Sequence, residues 1–169
     1  MMSAAPGSPT SPTPALERIV AETTEAIERD PSDAQAYIRR GNAHSNAGDY
    51  GRAIEDMSRV IELDPESSMA HNNRGVAYLC TGDPRSAVRD TSRAIELDPG
   101  YRDAYLNRGL AFSEIGDLDR ALADLDRVIE LDPSAWSGYR HRGIVHWIGG
   151  DREASYRDYL RARELQDEA

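Results

Sequence analysis

Apolar residues recur at helical spacing through most of this chain. In the segment from Tyr50 to Leu63, Ala53, Ile54, Met57, Val60 and Ile61 fall three and four residues apart, the pattern of a helix with one buried face. The pattern is interrupted at fixed intervals. Asp-Pro pairs stand at Asp30-Pro31, Asp64-Pro65, Asp98-Pro99 and Asp132-Pro133, each 34 residues after the last. Glycine keeps the same step at Gly41, Gly75, Gly109 and Gly143, and Gly-Asp does so at Gly48-Asp49, Gly82-Asp83, Gly116-Asp117 and Gly150-Asp151. Three columns in one register define an internal repeat of 34 residues.

Each unit reads as two helices. The first, as in Ala34 to Ala47, stops at a Gly-Asp pair: glycine takes the left-handed conformation that closes a helix, and aspartate caps the next one. The second, Tyr50 to Leu63, stops at Asp-Pro because proline cannot continue the hydrogen-bond ladder. Glycine in mid-helix costs about 1 kcal/mol against alanine, so four such glycines need a reason. Close approach of the second helix supplies one, with Ala53, Ala87 and Ala121 as the facing small residues.

These features resemble the tetratricopeptide repeat family over Ala34 to Ala169. The large residue that opens the family's motif is Tyr37, Tyr105 and Tyr139, with His71 as the exception. The next large column holds His44, Tyr78, Phe112 and His146, and the closing proline is Pro65, Pro99 and Pro133. Ser155 departs from the small alanine and Thr91 from a larger residue. The resemblance implies an all-α solenoid of four helix-turn-helix repeats, at 34–67, 68–101, 102–135 and 136–169, preceded by one extra helix. Residues 14–33 fit only the second half of a unit, a capping helix begun by Thr13 and Pro14. Residues 1–13, rich in Ser, Pro and Thr, are expected to be an unstructured tail. Its Ser8-Pro9, Ser11-Pro12 and Thr13-Pro14 could accept phosphate from a proline-directed kinase, although a plain tail is the simpler reading. At the far end the column Ile27, Ile61, Ile95, Ile129 continues as Arg163, a charge suited to a polar terminal cap.

Two further columns pair across each unit: Arg40, Arg74, Arg108 and Arg142 on the first helix, and Asp56, Asp90, Asp124 and Asp158 sixteen residues later on the second. The expectation is a two-point guanidinium–carboxylate pair inside every repeat, a structural device in preference to a ligand contact.

Charge then narrows the function. Twenty basic residues, all arginine, against thirty acids give a net charge of −10, which opposes nucleic-acid phosphates and anionic membranes. One cysteine, Cys80, fits a reducing cytoplasm, and no run approaches the ~18 apolar residues of a membrane span. Of the four histidines, His44 and His146 fall in a packing column, His141 and His146 are five apart and so do not share a helix face as a metal pair, no glycine-rich phosphate loop is present, and no histidine is placed to activate Cys80. The expectation is a protein without enzymatic activity, cofactor or metal.

In the family the first helices line the concave face, where peptides or partner helices bind. By that resemblance the groove here would present Ile38, Arg39, Asn42, Asn72, Asn73, Val76, Leu106, Asn107, Leu110, Arg140, His141, Ile144 and Trp147. These columns change from repeat to repeat while the packing columns hold. The asparagines carry both donor and acceptor, which suits a peptide backbone, and Ile38, Leu106, Leu110 and Trp147 suit apolar side chains. Some family members clamp the carboxylate tails of heat-shock chaperones with lysine, arginine and asparagine. Asn42 and Asn73 match that set, but Ile38, Asp103 and Asn107 stand where its basic residues belong, so that ligand is not expected. The reading is a protein-interaction scaffold in the cytoplasm, binding another protein or peptide. The alternative is a self-associating assembly protein using the array edges, for instance Tyr156 and Tyr159.

Overall fold

The computed structural model describes residues 13–168. Among these lie nine α-helices and no strand: α1 (Pro14–Arg29), α2 (Ala34–Asn46), α3 (Tyr50–Leu63), α4 (Ser68–Cys80), α5 (Pro84–Leu97), α6 (Arg102–Glu114), α7 (Leu118–Leu131), α8 (Trp136–Gly149) and α9 (Arg152–Asp167). The expected unstructured tail and its Ser-Pro sites lie outside the described residues, apart from Thr13. That residue caps α1, its Oγ1 accepting from the Leu16 N–H at 3.4 Å, with Pro14 opening the helix.

The repeat columns account for the helix ends. Gly48, Gly82, Gly116 and Gly150 take φ of 78°, 77°, 81° and 88°, the left-handed region that only glycine enters without strain. The aspartate after each caps the next helix, accepting a backbone N–H from Arg52, Ser86, Arg120 or Ala154. At the other junctions the Asp-Pro aspartate turns the chain. Asp30, Asp64, Asp98 and Asp132 each accept the N–H two residues on, at 2.9, 3.1, 2.9 and 3.0 Å. Serine hydroxyls at 32 and 134 join in, and these bonds hold the Asp30 and Asp132 carboxyls below their ordinary pKa.

Every helix packs on its neighbours in sequence. Beyond that, α2 touches α4, α4 touches α6 and α6 touches α8, whereas no two of the second helices α3, α5, α7 and α9 meet. Stacking is therefore tighter on the first-helix side, which becomes the inner side of a curved array. Mid-helix glycine permits the closest approaches. A Cβ at Gly109 would lie 3.4 Å from the Ala121 carbonyl oxygen and 3.2 Å from Leu125 Cγ, and one at Gly75 only 2.8 Å from Thr91 Cγ2. The smaller Thr91, a departure from the family pattern, leaves that gap as tight as the others. No helix is long and apolar enough to cross a membrane.

Candidate functional site

The arginine–aspartate ladder forms in all four repeats and is two-pointed in each. Arg40 Nε and Nη2 donate to Asp56 at 3.0 and 2.7 Å, Arg74 donates to Asp90 at 2.6 and 2.8 Å, Arg108 to Asp124 at 2.8 and 2.8 Å, and Arg142 to Asp158 at 2.8 and 2.7 Å. These charge-assisted bonds raise the pKa of all four guanidiniums, against a smaller opposing effect of burial. Each arginine also has a third arm that the sequence reading missed. Nη1 reaches back to the previous second helix, to Thr24, Ser58 and Ser92 at 3.2, 3.1 and 3.2 Å, and to Asp126 at 2.6 Å. The ladder thus ties adjacent repeats together, and it turns these arginines away from any ligand.

The expected groove residues divide into three groups. Arg39, Asn42, Arg140, Ile144 and Trp147 are exposed, while Asn73, Val76, Leu106, Asn107, Leu110 and His141 are half-buried. Ile38 and Asn72 correct the sequence reading. Ile38 is 8% exposed and packs with Met57, Val60 and Ala70, so it offers no surface to a ligand's apolar side chain. Asn72 is 4% exposed and donates to the Tyr101 hydroxyl at 3.3 Å. Both occupy one column, turned toward the following repeat and covered by it. Tyr101 stands at the start of α6 where Asp33 and Ser67 supply side-chain caps to earlier first helices; it makes no cap bond and uses its hydroxyl for Asn72 instead.

The asparagines form a directional row across three repeats. Asn107 donates to Asn72 at 2.9 Å, Asn72 to Asn73 at 3.4 Å, and Asn73 to Asn42 at 3.2 Å. Each amide carries two protons and a two-lone-pair oxygen, so Asn42, Asn73 and Asn107 keep donor and acceptor capacity toward the groove. Asp103, expected to repel carboxylates, is held by Arg102 at 2.7 Å, and Arg102 also pairs with Asp132 at 2.6 Å.

Two clefts open between first and second helices at opposite ends of the row. The one in the first repeat, about 320 Å³, is lined by Asn42, Ser45, Asn46 and Met57 with Asn73 and Val76 from the next repeat. The one in the last repeat, about 290 Å³, is lined mainly by Ile144, Trp147, Tyr159 and Ala162, with Arg140 at its edge. Burial lowers the pKa of His141, aided by neighbouring Arg140, and burial also lowers that of His44. Among the described residues, no cluster of three or more histidine, cysteine or acidic side chains is placed to hold a metal ion.

An array of paired helices in register, with its inner face built by the first helix of each pair, defines a helical-repeat protein. Models described as tetratricopeptide repeat match residues 34–67, 72–135 and 106–169, and the chain belongs to that family. No curated protein matches it in sequence. Among solved structures it is similar to the segment of MamA from residue 41 to its end from Desulfovibrio magneticus RS-1, at 22% identity and a TM-score of 0.84, over 92% of this chain and 88% of that one. It is also similar to YrrB, described as a TPR protein with an unusual peptide-binding site, at 25% identity and a TM-score of 0.75, over 90% and 79%. A third is the first TPR of Spaghetti (RPAP3) bound to the HSP90 peptide SRMEEVD, at 26% identity and a TM-score of 0.68, over 72% and 96%.

Proposed function

We propose that this protein is a non-enzymatic interaction scaffold, soluble in the cytoplasm, whose inner groove binds an extended segment of another protein. The observation that carries this reading is the row of asparagines. Asn42, Asn73 and Asn107 stand on three successive first helices with unused donors and acceptors, a connected row of partners for a peptide backbone. The peptide-binding sites of YrrB and of the Spaghetti TPR support the same use of the fold. The HSP90 peptide itself is a poor candidate here. Asp103 and the uncharged Asn107 occupy positions where a carboxylate-tail clamp needs cations, and Ile38 is buried. The partner is thus another protein or a peptide, with no role for nucleic acid or membrane.

Affinity capture from the source organism's lysate tests this, comparing the native chain with Asn73→Ala/Asn107→Ala. A partner recovered by the native chain and lost by the folded double variant supports the groove. Equal recovery by both moves the site to another surface and refutes the proposal.

A second reading is favoured by the exposure of Ile148, Tyr156 and Tyr159 at the last repeat, an apolar edge on which two copies could pair. Sedimentation velocity at rising protein concentration separates the two, because only self-association depends on the protein's own concentration.

A further inference from the structure

The last repeat differs from the other three, at one packing column, in a way that specifies a ligand. Each repeat has the same column beneath its mid-helix glycine: Met57, Thr91, Leu125 and Tyr159. The first three are 1%, 0% and 0% exposed, whereas Tyr159 is 59% exposed. Across α8, Trp147 is 56% and Ile144 45% exposed, so three large apolar side chains surround an open cavity. At about 290 Å³ this cavity lies at the bottom of the range for small-molecule sites, and its walls lack the converging polar groups such ligands need. It is the size for one bulky side chain.

The electrostatics at its edge are equally particular. Arg140 lines the cavity, and among the described residues no carboxylate lies within ion-pair distance of it. The rest of its column, Ile38, Asn72 and Leu106, is uncharged. Arg152 lies over the Trp147 ring at 3.6 Å from the centroid and likewise has no carboxylate partner there. Residues 136–169 hold six arginines and six acids, a net charge of zero, so residues 1–135, with fourteen arginines and twenty-four acids, carry the whole −10. Net repulsion of an acidic segment is therefore least at this end of the array, where Arg140 is open to pair with it.

We propose that the α8–α9 cleft is a side-chain receptor for an extended segment of a partner protein that carries a bulky apolar residue next to an acidic one. The apolar side chain enters between Ile144, Trp147 and Tyr159, and the adjacent carboxylate pairs with Arg140. The backbone then runs back across the asparagine row, so the cleft sets the register and direction of the segment. This rests on the groove reading and adds the ligand's chemistry to it.

The test is selection of random decapeptides displayed on phage against the full chain. An enriched peptide is then synthesised with a fluorescein label, and its affinity is measured by fluorescence anisotropy. The expected result is enrichment of a bulky apolar residue flanked by Asp or Glu. Arg140→Gln or Trp147→Ser should then weaken binding about tenfold or more, with helical circular dichroism unchanged. Replacing the peptide's acid by its amide should cause a similar loss in the native chain and little further loss in Arg140→Gln. Peptides sensitive to Asn73→Ala/Asn107→Ala but indifferent to both cleft variants would overturn this proposal while leaving groove binding intact. Enriched peptides indifferent to all of these variants, or no enrichment at all, would overturn both.

Discussion

The clefts of the first and last repeats are built on the same backbone columns and present opposite chemistries. Asn42, Ser45 and Met57 in one become Ile144, Trp147 and Tyr159 in the other. The mid-helix glycine, the ladder pair and the aspartate cap of the second helix do not change between them. The difference shows how such an array separates its tasks: columns that face another helix are constrained by packing density, and columns that face outward are free to take any chemistry. Met57 is sealed by the next repeat, and Tyr159 is not, so the same position is core at one end and surface at the other.

Substitutions at equivalent positions break or sharpen that comparison. The largest effect is expected at the ladder. Arg142→Ala removes the partner of buried Asp158 and a second bond to Asp126, with a loss of about 3–5 kcal/mol in urea unfolding. Arg40→Ala should lose less, since its third arm ends on a neutral Thr24 hydroxyl. Adding Asp158→Ala to Arg142→Ala should recover part of the loss; if neither single variant melts below the native chain, the ladder is not structural. Next comes the packing column. Leu125→Ala should lose about 2–5 kcal/mol, whereas Tyr159→Ala should lose under about 1 kcal/mol; equal losses would mean that something covers the last cleft in solution. At the glycine floor, Gly75→Ala drives a Cβ into stiff, β-branched Thr91 and should destabilise by about 1–3 kcal/mol. Gly41→Ala meets the flexible end of buried Met57 and the Asp56 Cβ at 3.1 Å, and should be destabilised less than Gly75→Ala, because an unbranched methionine can shift and the gain in helix propensity offsets part of the cost.

A smaller effect is expected with pH. Burial lowers the folded-state pKa of His141 and His44 below the ordinary 6.5, so the unfolded chain binds more protons in this range. Their contribution is complete above about pH 6.5 and is lost as pH falls through the folded values. His141→Gln and His44→Gln should each flatten thermal stability between pH 7 and pH 5; an unchanged slope in both would contradict the assignment.

Much of this fold was legible because its signals repeat. A Gly-Asp pair is ambiguous once, but at four positions 34 residues apart it places a left-handed turn and a cap in every unit. The ladder was readable for the same reason, since a structural pair must keep both partners in register. Ile38 and Asn72 were misread because helical periodicity gives the face of one helix but not the rotation between successive repeats, and that rotation decides which inner residues the next helix covers. The ladder's third arm had a signal that was overlooked. Thr24, Ser58, Ser92 and Asp126 precede the arginines by sixteen residues, just as the aspartates follow them by sixteen. The exposure of Tyr159 was partly legible, since a tyrosine stands where Leu125 is sealed and reads as an array edge, but the cavity it forms with Ile144 and Trp147 was not, because it depends on how α9 sits against α8.

The central claim is that the inner face of the array recognises and the outer face of the second helices supports. Isothermal titration calorimetry of the captured partner against Leu110→Ser/Ile144→Ser on the inner face, and against Glu62→Ser/Glu96→Ser on the outer helices, tests it most directly. The account predicts a loss of affinity of about tenfold or more in the first variant and none in the second. Undiminished binding in the first with loss in the second would contradict it.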